Sequence, residues 1–324
     1  MTRPLLLASA LALAAAAAPA DARPIAPPAP EPVLDPASRT ALAHLPFDTA
    51  LVASIHVADA RQTPIGRRVL AALERDRAFQ EVAADLRKQV GFDYRRDLER
   101  VWLAMPSAAL DGGDQIAFLA RLTIDQERFV KWLRHQRGRD LAERKAGTVT
   151  YYVAGDTAWA FLDREHMLVA HTSYVEQVLA VAAGRKHSAA ANRPLVLVAA
   201  EASRPGAHAW MAVLVPEPVR SRLREGALTA PLADVRWTAG RLTFGDEARW
   251  RGQVKTTRRE SAQALVGVLR QMVETAAASR PLEAAGISAS LRQTVIAADG
   301  DVVNLEGALP GQHAGAVLEA VLAP

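Results

Sequence analysis

The sequence contains no cysteine among its 324 residues. Disulfide bonds, thiolate nucleophiles, cysteine-bound metal sites and a lipid-modified cysteine are therefore excluded. A chain of this length, half of it hydrophobic, buries a sufficient core without covalent cross-links. By length alone, we expect two domains or one duplicated domain.

Aromatic residues and lysines are also scarce. Aromatics make up 5% of the chain, which argues against recognition of nucleic acid by ring stacking. The net charge of +4 comes mainly from arginine, because lysine occurs only at positions 88, 131, 145, 186 and 255. An excess of arginine and alanine is typical of a GC-rich genome, so the charge is weak evidence for an acidic partner. We expect a solvated, arginine-rich surface and no nucleic-acid partner.

Long hydrophobic runs are confined to the N-terminus. Met1-Thr2-Arg3 precedes the apolar stretch PLLLASALALAAAAA, and small residues follow in the pattern of cleavage sites at residues 18–20 and 20–22. This order is typical of a secretory signal peptide, and the apolar stretch is shorter than the roughly 20 residues that span a bilayer. We therefore predict a signal peptide over residues 1–22, export to the periplasm or the medium, and no transmembrane segment after cleavage.

The remaining chain is predicted to form an α+β fold with a mostly antiparallel sheet. Residues 48–57 alternate between apolar and polar like a half-buried strand, whereas residues 259–278 have the three- and four-residue apolar spacing of a helix. The order strand, helix, hairpin, helix, hairpin, helix occurs twice in tandem. The predicted organisation is a Pro-rich tether and short helix over 23–45, a first unit over 46–184, a connector with one helix over 185–206, and a second unit over 207–324.

Charged residues crowd the stretch QVGFDYRRDLERVWLAMP at residues 89–106. The corresponding stretch of the second unit, APLADVRWTA, matches Leu98 with Leu232 and Val101 with Val235 but does not repeat the charges. We therefore interpret the charged cluster as the corner between a helix end and a strand, and not as a site.

Three short motifs lie between residues 44 and 106. They are Leu45-Pro46-Phe47-Asp48-Thr49 at a strand start, Thr63-Pro64 at a helix start, and the turn Gly91-Phe92-Asp93. On these motifs the segment resembles uncharacterised exported proteins of Gram-negative bacteria, particularly of myxobacteria, although Tyr94 stands where those proteins usually have proline. The resemblance implies an exported compartment and a shared fold, and it implies no activity and no catalytic residue.

Motifs for catalysis and cofactor binding are missing. The sequence has no G-x-S-x-G, no H-E-x-x-H, no calcium loop and neither of the glycine-rich phosphate-binding loops. Of the histidines, the closest pair is His166 and His171, whose odd spacing places them on opposite faces of a strand. No catalytic residue, cofactor or metal site is predicted, although a triad assembled from distant positions stays open.

One strand offers a candidate binding surface for anions. In ARWRGQVKT, the polar residues Arg249, Arg251, Gln253 and Lys255 alternate with apolar residues and should share one face. Depending on register, Arg236 and Arg241 of the partner strand could join them. Guanidinium groups suit phosphate, sulfate and carboxylate ligands. The alternative is an ordinary solvated face of an antiparallel sheet. The same alternation assigns Trp250 to the core and makes Trp102 the most exposed tryptophan.

These observations favour a non-enzymatic exported protein that binds an envelope protein or an anionic ligand, or that scaffolds an assembly in the cell envelope. An envelope hydrolase with a site assembled from scattered residues is one alternative. The other is a surface that binds polyanions or anionic lipids through the basic sheet face.

Overall fold

The protein is built around one antiparallel sheet of twelve strands. The computed structural model describes residues 33–226, 229–284 and 286–314. The predicted signal peptide, most of the predicted tether and most of the predicted C-terminal helix lie outside these residues. The α+β class and the antiparallel sheet predicted from the sequence are confirmed.

The strands follow closely the alternating segments of the sequence. Their order across the sheet is β11-β12-β10-β9-β8-β1-β2-β3-β7-β6-β5-β4. Their bounds are β1 Thr49–Ile55, β2 Leu98–Pro106, β3 Ala117–Leu122, β4 Ala142–Ala146, β5 Val149–Ala154, β6 Thr157–Phe161, β7 His166–His171, β8 Ala209–Leu214, β9 Val235–Phe244, β10 Glu247–Thr256, β11 Val295–Asp299 and β12 Val302–Pro310.

Several helices begin at capping residues that the sequence supplies. The side chains of Asp35, Thr63, Asp76 and Asp125 accept hydrogen bonds from first-turn amides. The described helices are α1 Pro36–His44, α2 Val57–Ala60, α3 Pro64–Leu73, α4 Arg77–Asp85, α5 Tyr94–Asp97, α6 Gln126–Arg137, α7 Thr172–Ala182, α8 Arg193–Ala202, α9 Glu217–Glu225, α10 Arg259–Ala277, α11 Arg280–Ala284 and α12 Ser288–Arg292. No helix among the described residues is both long and apolar enough to cross a bilayer.

The two halves of the chain meet at one strand pair, because β1 is bonded to β8. Outward from this pair, the first half runs β1-β2-β3-β7-β6-β5-β4 and the second half runs β8-β9-β10-β12-β11, so the first half has two more strands at its edge. The tandem duplication stays a prediction.

Helices cover both faces of the sheet. Face A, which carries Val52, Trp102 and Trp210, packs against α1, α7 and α8. Face B, which carries Ala53, Leu103 and Met211, packs against α6 in the first half and against α10 and α12 in the second. Residues that alternate along a strand therefore enter two different cores.

The prediction of an exposed Trp102 was wrong. Its side chain is fully buried at 0% exposure, and its ring packs among the residues that α1 and α8 cover. The opposite-facing residues Val101, Leu103 and Met105 are the half-buried ones. The alternation correctly places Trp102 on the opposite face of the strand from Val101, Leu103 and Met105. At this position, however, helices cover face A, whereas face B is partly open to solvent. Trp250 is buried, as predicted.

The charged corner near residue 93 is a junction between elements, in agreement with the interpretation from the sequence. A π-helical turn over Leu86–Val90 ends at Gly91, whose φ of 82° is left-handed, and α5 leads into β2. Arg95 bonds to Glu74, and Arg96 bonds to Asp97. These charges hold the corner together.

Candidate ligand-binding cavity

An apolar cavity lies between face B of the second half and the helices above it. Its volume is about 340 Å³, which falls in the range of small-molecule sites. The floor is formed by β8, β9, β10 and β12, and the walls come from α9, α10 and the segment before β9. The side chains that line it include Met211, Val215, Val219, Leu223, Leu232, Val235, Leu242, Trp250, Val254, Leu265, Leu269 and Leu305.

Two glycines face each other in the floor of the cavity. Gly240 of β9 is paired directly with Gly252 of β10. A Cβ atom at Gly240 would meet only the Arg251 carbonyl oxygen, at 3.9 Å, so the space above this residue is open. A glycine inside a strand commonly marks a place where another molecule or chain approaches closely. At Gly252, in contrast, a Cβ atom would lie 3.5 Å from Leu305 Cδ1, so the open space lies mainly above Gly240.

The walls present apolar residues at helical spacing. Val219 and Leu223 lie one turn apart on α9, and Leu265 and Leu269 lie one turn apart on α10. Leu265 is fully buried, but Val219, Leu223 and Leu269 are only half-buried. The helices therefore do not close onto the sheet, and solvent reaches the space between them.

The apolar floor continues past the cavity along one row of face B. Strand register connects Gly240 to Met211, then to Ala53, Leu103 and finally Phe118. Four strand spacings separate the ends of this row, or roughly 19 Å. Phe118 is 42% exposed, and the three residues between it and Gly240 are half-buried. In the described part of the chain, a band of apolar surface that runs across these strands is therefore open to solvent.

Arginines are concentrated on the helix that forms one wall. Glu217 pairs with Arg220 and, at 2.7 Å, with Arg224, and Arg236 adds a third positive charge near the same carboxylate. The hydrogen bond from Arg224 and the nearby arginine charges hold the pKa of Glu217 below its ordinary value, against a smaller opposing effect of desolvation. Three arginines thus lie near Glu217, and Asp234 is a second acidic group near Arg224.

Three of the four residues predicted to bind anions share face A. Arg249, Arg251 and Lys255 alternate along β10 on face A, and Arg251 also borders the apolar cavity, where its carbonyl oxygen lies near Gly240. Each has an acidic partner, which the structure supplies from the same or a neighbouring strand. The contacts are Arg249 Nε with Glu247 Oε2 at 3.2 Å, Arg251 Nε with Glu306 Oε1 at 3.3 Å, and Lys255 Nζ with Asp301 Oδ1 at 2.6 Å. This surface has little surplus positive charge.

Arg236 is separated from the other three. The β9–β10 register is irregular between Lys255 and Thr256, and Arg236 falls opposite this irregularity. Its side chain is exposed, and its charge acts on Glu217 of α9. The structure therefore places Arg236 beside Val235 of the cavity lining and away from the predicted basic face.

A second, polar cavity of about 210 Å³ lies on face A. Glu201 and Arg204 from the end of α8 meet Arg241, Arg251 and Glu306 there. Arg241 donates to the Glu201 carbonyl oxygen at 3.2 Å, and burial lowers the pKa of its guanidinium. The charges of this cavity are largely paired with one another.

Histidine and serine meet at the start of α7. His171 Nδ1 lies 2.7 Å from Ser173 Oγ, and the Ser173 amide donates to the same nitrogen. The two residues are neighbours in sequence at a helix N-terminus, and neither lines one of the two cavities. This contact caps the helix and gives no support to the hydrolase alternative.

Comparisons with known proteins do not assign the chain to a family. No family model and no curated protein matches the sequence. Among solved structures, the chain is similar to crystal forms III, I and IV of TP0453, with TM-scores of 0.49, 0.46 and 0.47 and sequence identities of 12%, 11% and 12%. The matches cover 86%, 86% and 88% of this chain and 97%, 96% and 97% of those chains. Similarity at this level gives no information about ligand or activity.

Proposed function

We propose that this chain is an exported cell-envelope protein that binds an amphipathic ligand with a long alkyl chain and an acidic head group. The observation that carries the proposal is the apolar cavity above Gly240 and Gly252. Such a ligand is a fatty acid or the acyl part of an anionic lipid. The sequence predicts only a non-enzymatic binding protein, and the proposal adds the class of ligand that it binds.

The hydrophobic effect supplies the affinity for the alkyl chain. Each methylene group that leaves water for an apolar environment contributes about 0.8 kcal/mol. The cavity receives one end of the chain, and the open row from Met211 to Phe118 offers further apolar surface. A ligand that extends along this row buries more methylenes than the cavity alone accommodates.

The arginines of the α9 wall supply the preference for an acidic head group. Arg224 and Arg236 are exposed, lie near one shared carboxylate, and directly follow in sequence the cavity-lining residues Leu223 and Val235, although neither arginine lines the cavity itself. A guanidinium forms paired hydrogen bonds with carboxylate or phosphate oxygens. A head group held there places its chain beside the apolar cavity.

Export is part of the proposal and rests on the N-terminal sequence pattern described above. An amphipathic ligand with a long chain has low solubility in water, because its apolar surface is costly to hydrate. A carrier with a shielded apolar cavity suits the aqueous compartment between membranes. The anionic-lipid alternative drawn from the sequence is retained here with Arg236, and Arg224 takes the place of Arg249, Arg251 and Lys255.

The experiment is a titration of delipidated protein with saturated carboxylates of increasing length, from octanoate to hexadecanoate, followed by displacement of a fluorescent fatty acid. Eight methylenes separate octanoate from hexadecanoate, and at about 0.8 kcal/mol each their full burial predicts a rise in affinity on the order of 10⁴-fold over the series. Equal affinity across the series, or no displacement at all, contradicts it.

A further inference from the structure

Three side chains from two distant parts of the chain meet at one edge of α1. They are His44 at the end of α1, Asp163 in the turn between β6 and β7, and His166 at the start of β7. We propose that they form a binding site for a divalent transition-metal ion of the Zn²⁺ class. This inference is independent of the alkyl-chain cavity, which lies in the other half of the sheet.

The distances between the candidate ligand atoms fit a metal ion. His44 Nε2 lies 3.4 Å from Asp163 Oδ2, and His166 Nδ1 lies 2.8 Å from the same oxygen. Ligand atoms about 2.0–2.1 Å from a tetrahedral zinc ion are roughly 3.3 Å from one another. All three candidate atoms lie within 4.8 Å of one another, so a small movement of the His44 ring completes the arrangement.

The carboxylate of Asp163 is held in the orientation that a metal ligand needs. Its Oδ1 accepts hydrogen bonds from the amides of Glu165 and His166, at 2.7 and 2.8 Å. These bonds fix the side chain, so that His166 Nδ1 lies 3.0 Å from Oδ1 and 2.8 Å from Oδ2, while His44 Nε2 faces Oδ2. Hydrogen bonds that orient a ligand in this way are a regular feature of metal sites.

The two histidines differ in exposure, which leaves one side of the site accessible. His166 is buried at 5% exposure, and its Nε2 has no hydrogen-bond partner among the described residues. His44 retains 18% side-chain exposure and Asp163 retains 43%. The imidazole ring centroids are 5.2 Å apart. An ion can therefore enter from the Asp163 side and keep water in its remaining positions.

The ligand chemistry selects the class of ion. Imidazole nitrogens suit Zn²⁺, Cu²⁺, Ni²⁺ and Co²⁺, whereas Mg²⁺ and Ca²⁺ prefer oxygen ligands. Two histidines and one carboxylate is also a common set for a zinc ion with an open position. A bound ion would link α1 to the β6–β7 turn, so binding is expected to raise the stability of the folded chain.

The test is isothermal titration of chelator-treated full chain with Zn²⁺, together with the absorption spectrum of the Co²⁺ form. The protein is expected to bind one ion and to give the intense visible bands of tetrahedral Co²⁺. His44→Ala and Asp163→Asn should each weaken Zn²⁺ binding at least tenfold. His135→Ala, which removes an exposed histidine outside the cluster, should leave the affinity within twofold of the unchanged protein.

His44→Gln serves as a second variant, since it keeps a polar side chain of similar size if His44→Ala does not fold. Circular dichroism establishes that each variant is folded. Absence of Zn²⁺ binding by the unchanged chain would overturn the proposal, and so would unchanged binding by the folded His44 and Asp163 variants. In both cases the cluster is a set of hydrogen bonds that joins α1 to the turn.

Discussion

Gly240 and Gly252 stand directly opposite each other in the β9–β10 ladder, on the sheet face that α9 and α10 approach. Glycine in a strand costs stability, since it adds conformational entropy to the unfolded chain and contributes no packing. A cavity of about 340 Å³ lies above the pair in place of a close-packed layer. We interpret this unfilled volume as the space that a bound ligand occupies.

The exposed end of the apolar row should matter only for long ligands. Phe118→Gln removes an apolar ring that lies four strands from Gly240. We expect it to weaken hexadecanoate binding several-fold and to leave octanoate binding unchanged, because the shorter chain stays within the cavity. The control is Phe47→Gln, which replaces an equally exposed phenylalanine elsewhere. Equal losses for both carboxylates in the displacement assay would show that Phe118 does not contact the chain.

Charge-reversal variants show whether the head group is recognised by the arginines near α9 or by the basic residues of face A. The Arg224→Glu/Arg236→Glu double variant should weaken hexadecanoate binding about tenfold and leave the affinity for the uncharged hexadecanol unchanged. The Arg249→Glu/Lys255→Glu double variant makes the same change in charge on face A, outside the cavity lining, and it should bind hexadecanoate as the unchanged protein does. If the basic sheet face predicted from the sequence binds the ligand instead, the face A variant should lose more affinity than the Arg224→Glu/Arg236→Glu variant. Binding should then also weaken steeply as the salt concentration rises.

Acid should destabilise the protein partly through Asp35. Burial raises the pKa of Asp35, but hydrogen bonds from Ser38 and the charge of Arg100, 2.7 Å away, outweigh it and bring the pKa below its ordinary value. An unfolded aspartate titrates near about pH 3.9, so this contribution is complete above that pH and is lost as the pH falls through the lower folded value. Asp35→Asn should therefore flatten the decline of the unfolding free energy below about pH 4. Asp114→Asn, at an exposed position, should leave the decline as it is in urea titrations at each pH.

Trp102 should be essential for stability and not for surface contacts. Its ring is fully buried, and the Arg100 guanidinium lies 5.5 Å from the ring centroid. Replacement of a buried tryptophan by alanine typically costs about 3–5 kcal/mol. Urea unfolding of Trp102→Ala should show a loss of this size, and Val101→Ala on the half-open face should show a much smaller one. A loss below about 1 kcal/mol for Trp102→Ala would mean that the core under α1 is not packed as described.

Most of the fold could be predicted from local patterns. The alternation of residues 48–57 and the apolar spacing of residues 259–278 gave a strand and a helix close to the observed bounds. Local patterns cannot say how many helices cover each sheet face. For this reason the alternation around Trp102 separates the two faces of the strand correctly but does not reveal which of them is buried.

The candidate sites depend on contacts between distant residues, which is why the sequence revealed little of them. Gly240 and Gly252 were visible as glycines inside strands, a signal that would have indicated close approach to the sheet. Their direct pairing depends on the β9–β10 register. His44 and His166 are far apart in sequence, so spacing rules for metal ligands within one segment could not connect them.

The most direct test of the account places a side chain in the cavity. Gly240→Leu projects a leucine into the open space above the floor, where backbone strain is absent because Gly240 does not have a positive φ. The matched control is Gly267→Leu, on the exposed side of the helix α10 that forms one wall. Both proteins are titrated with a fluorescent long-chain fatty acid after a melting curve has shown that they are folded. The account predicts that Gly240→Leu weakens binding at least tenfold, while Gly267→Leu changes it less than twofold. Undiminished binding by the folded Gly240→Leu protein would contradict the account.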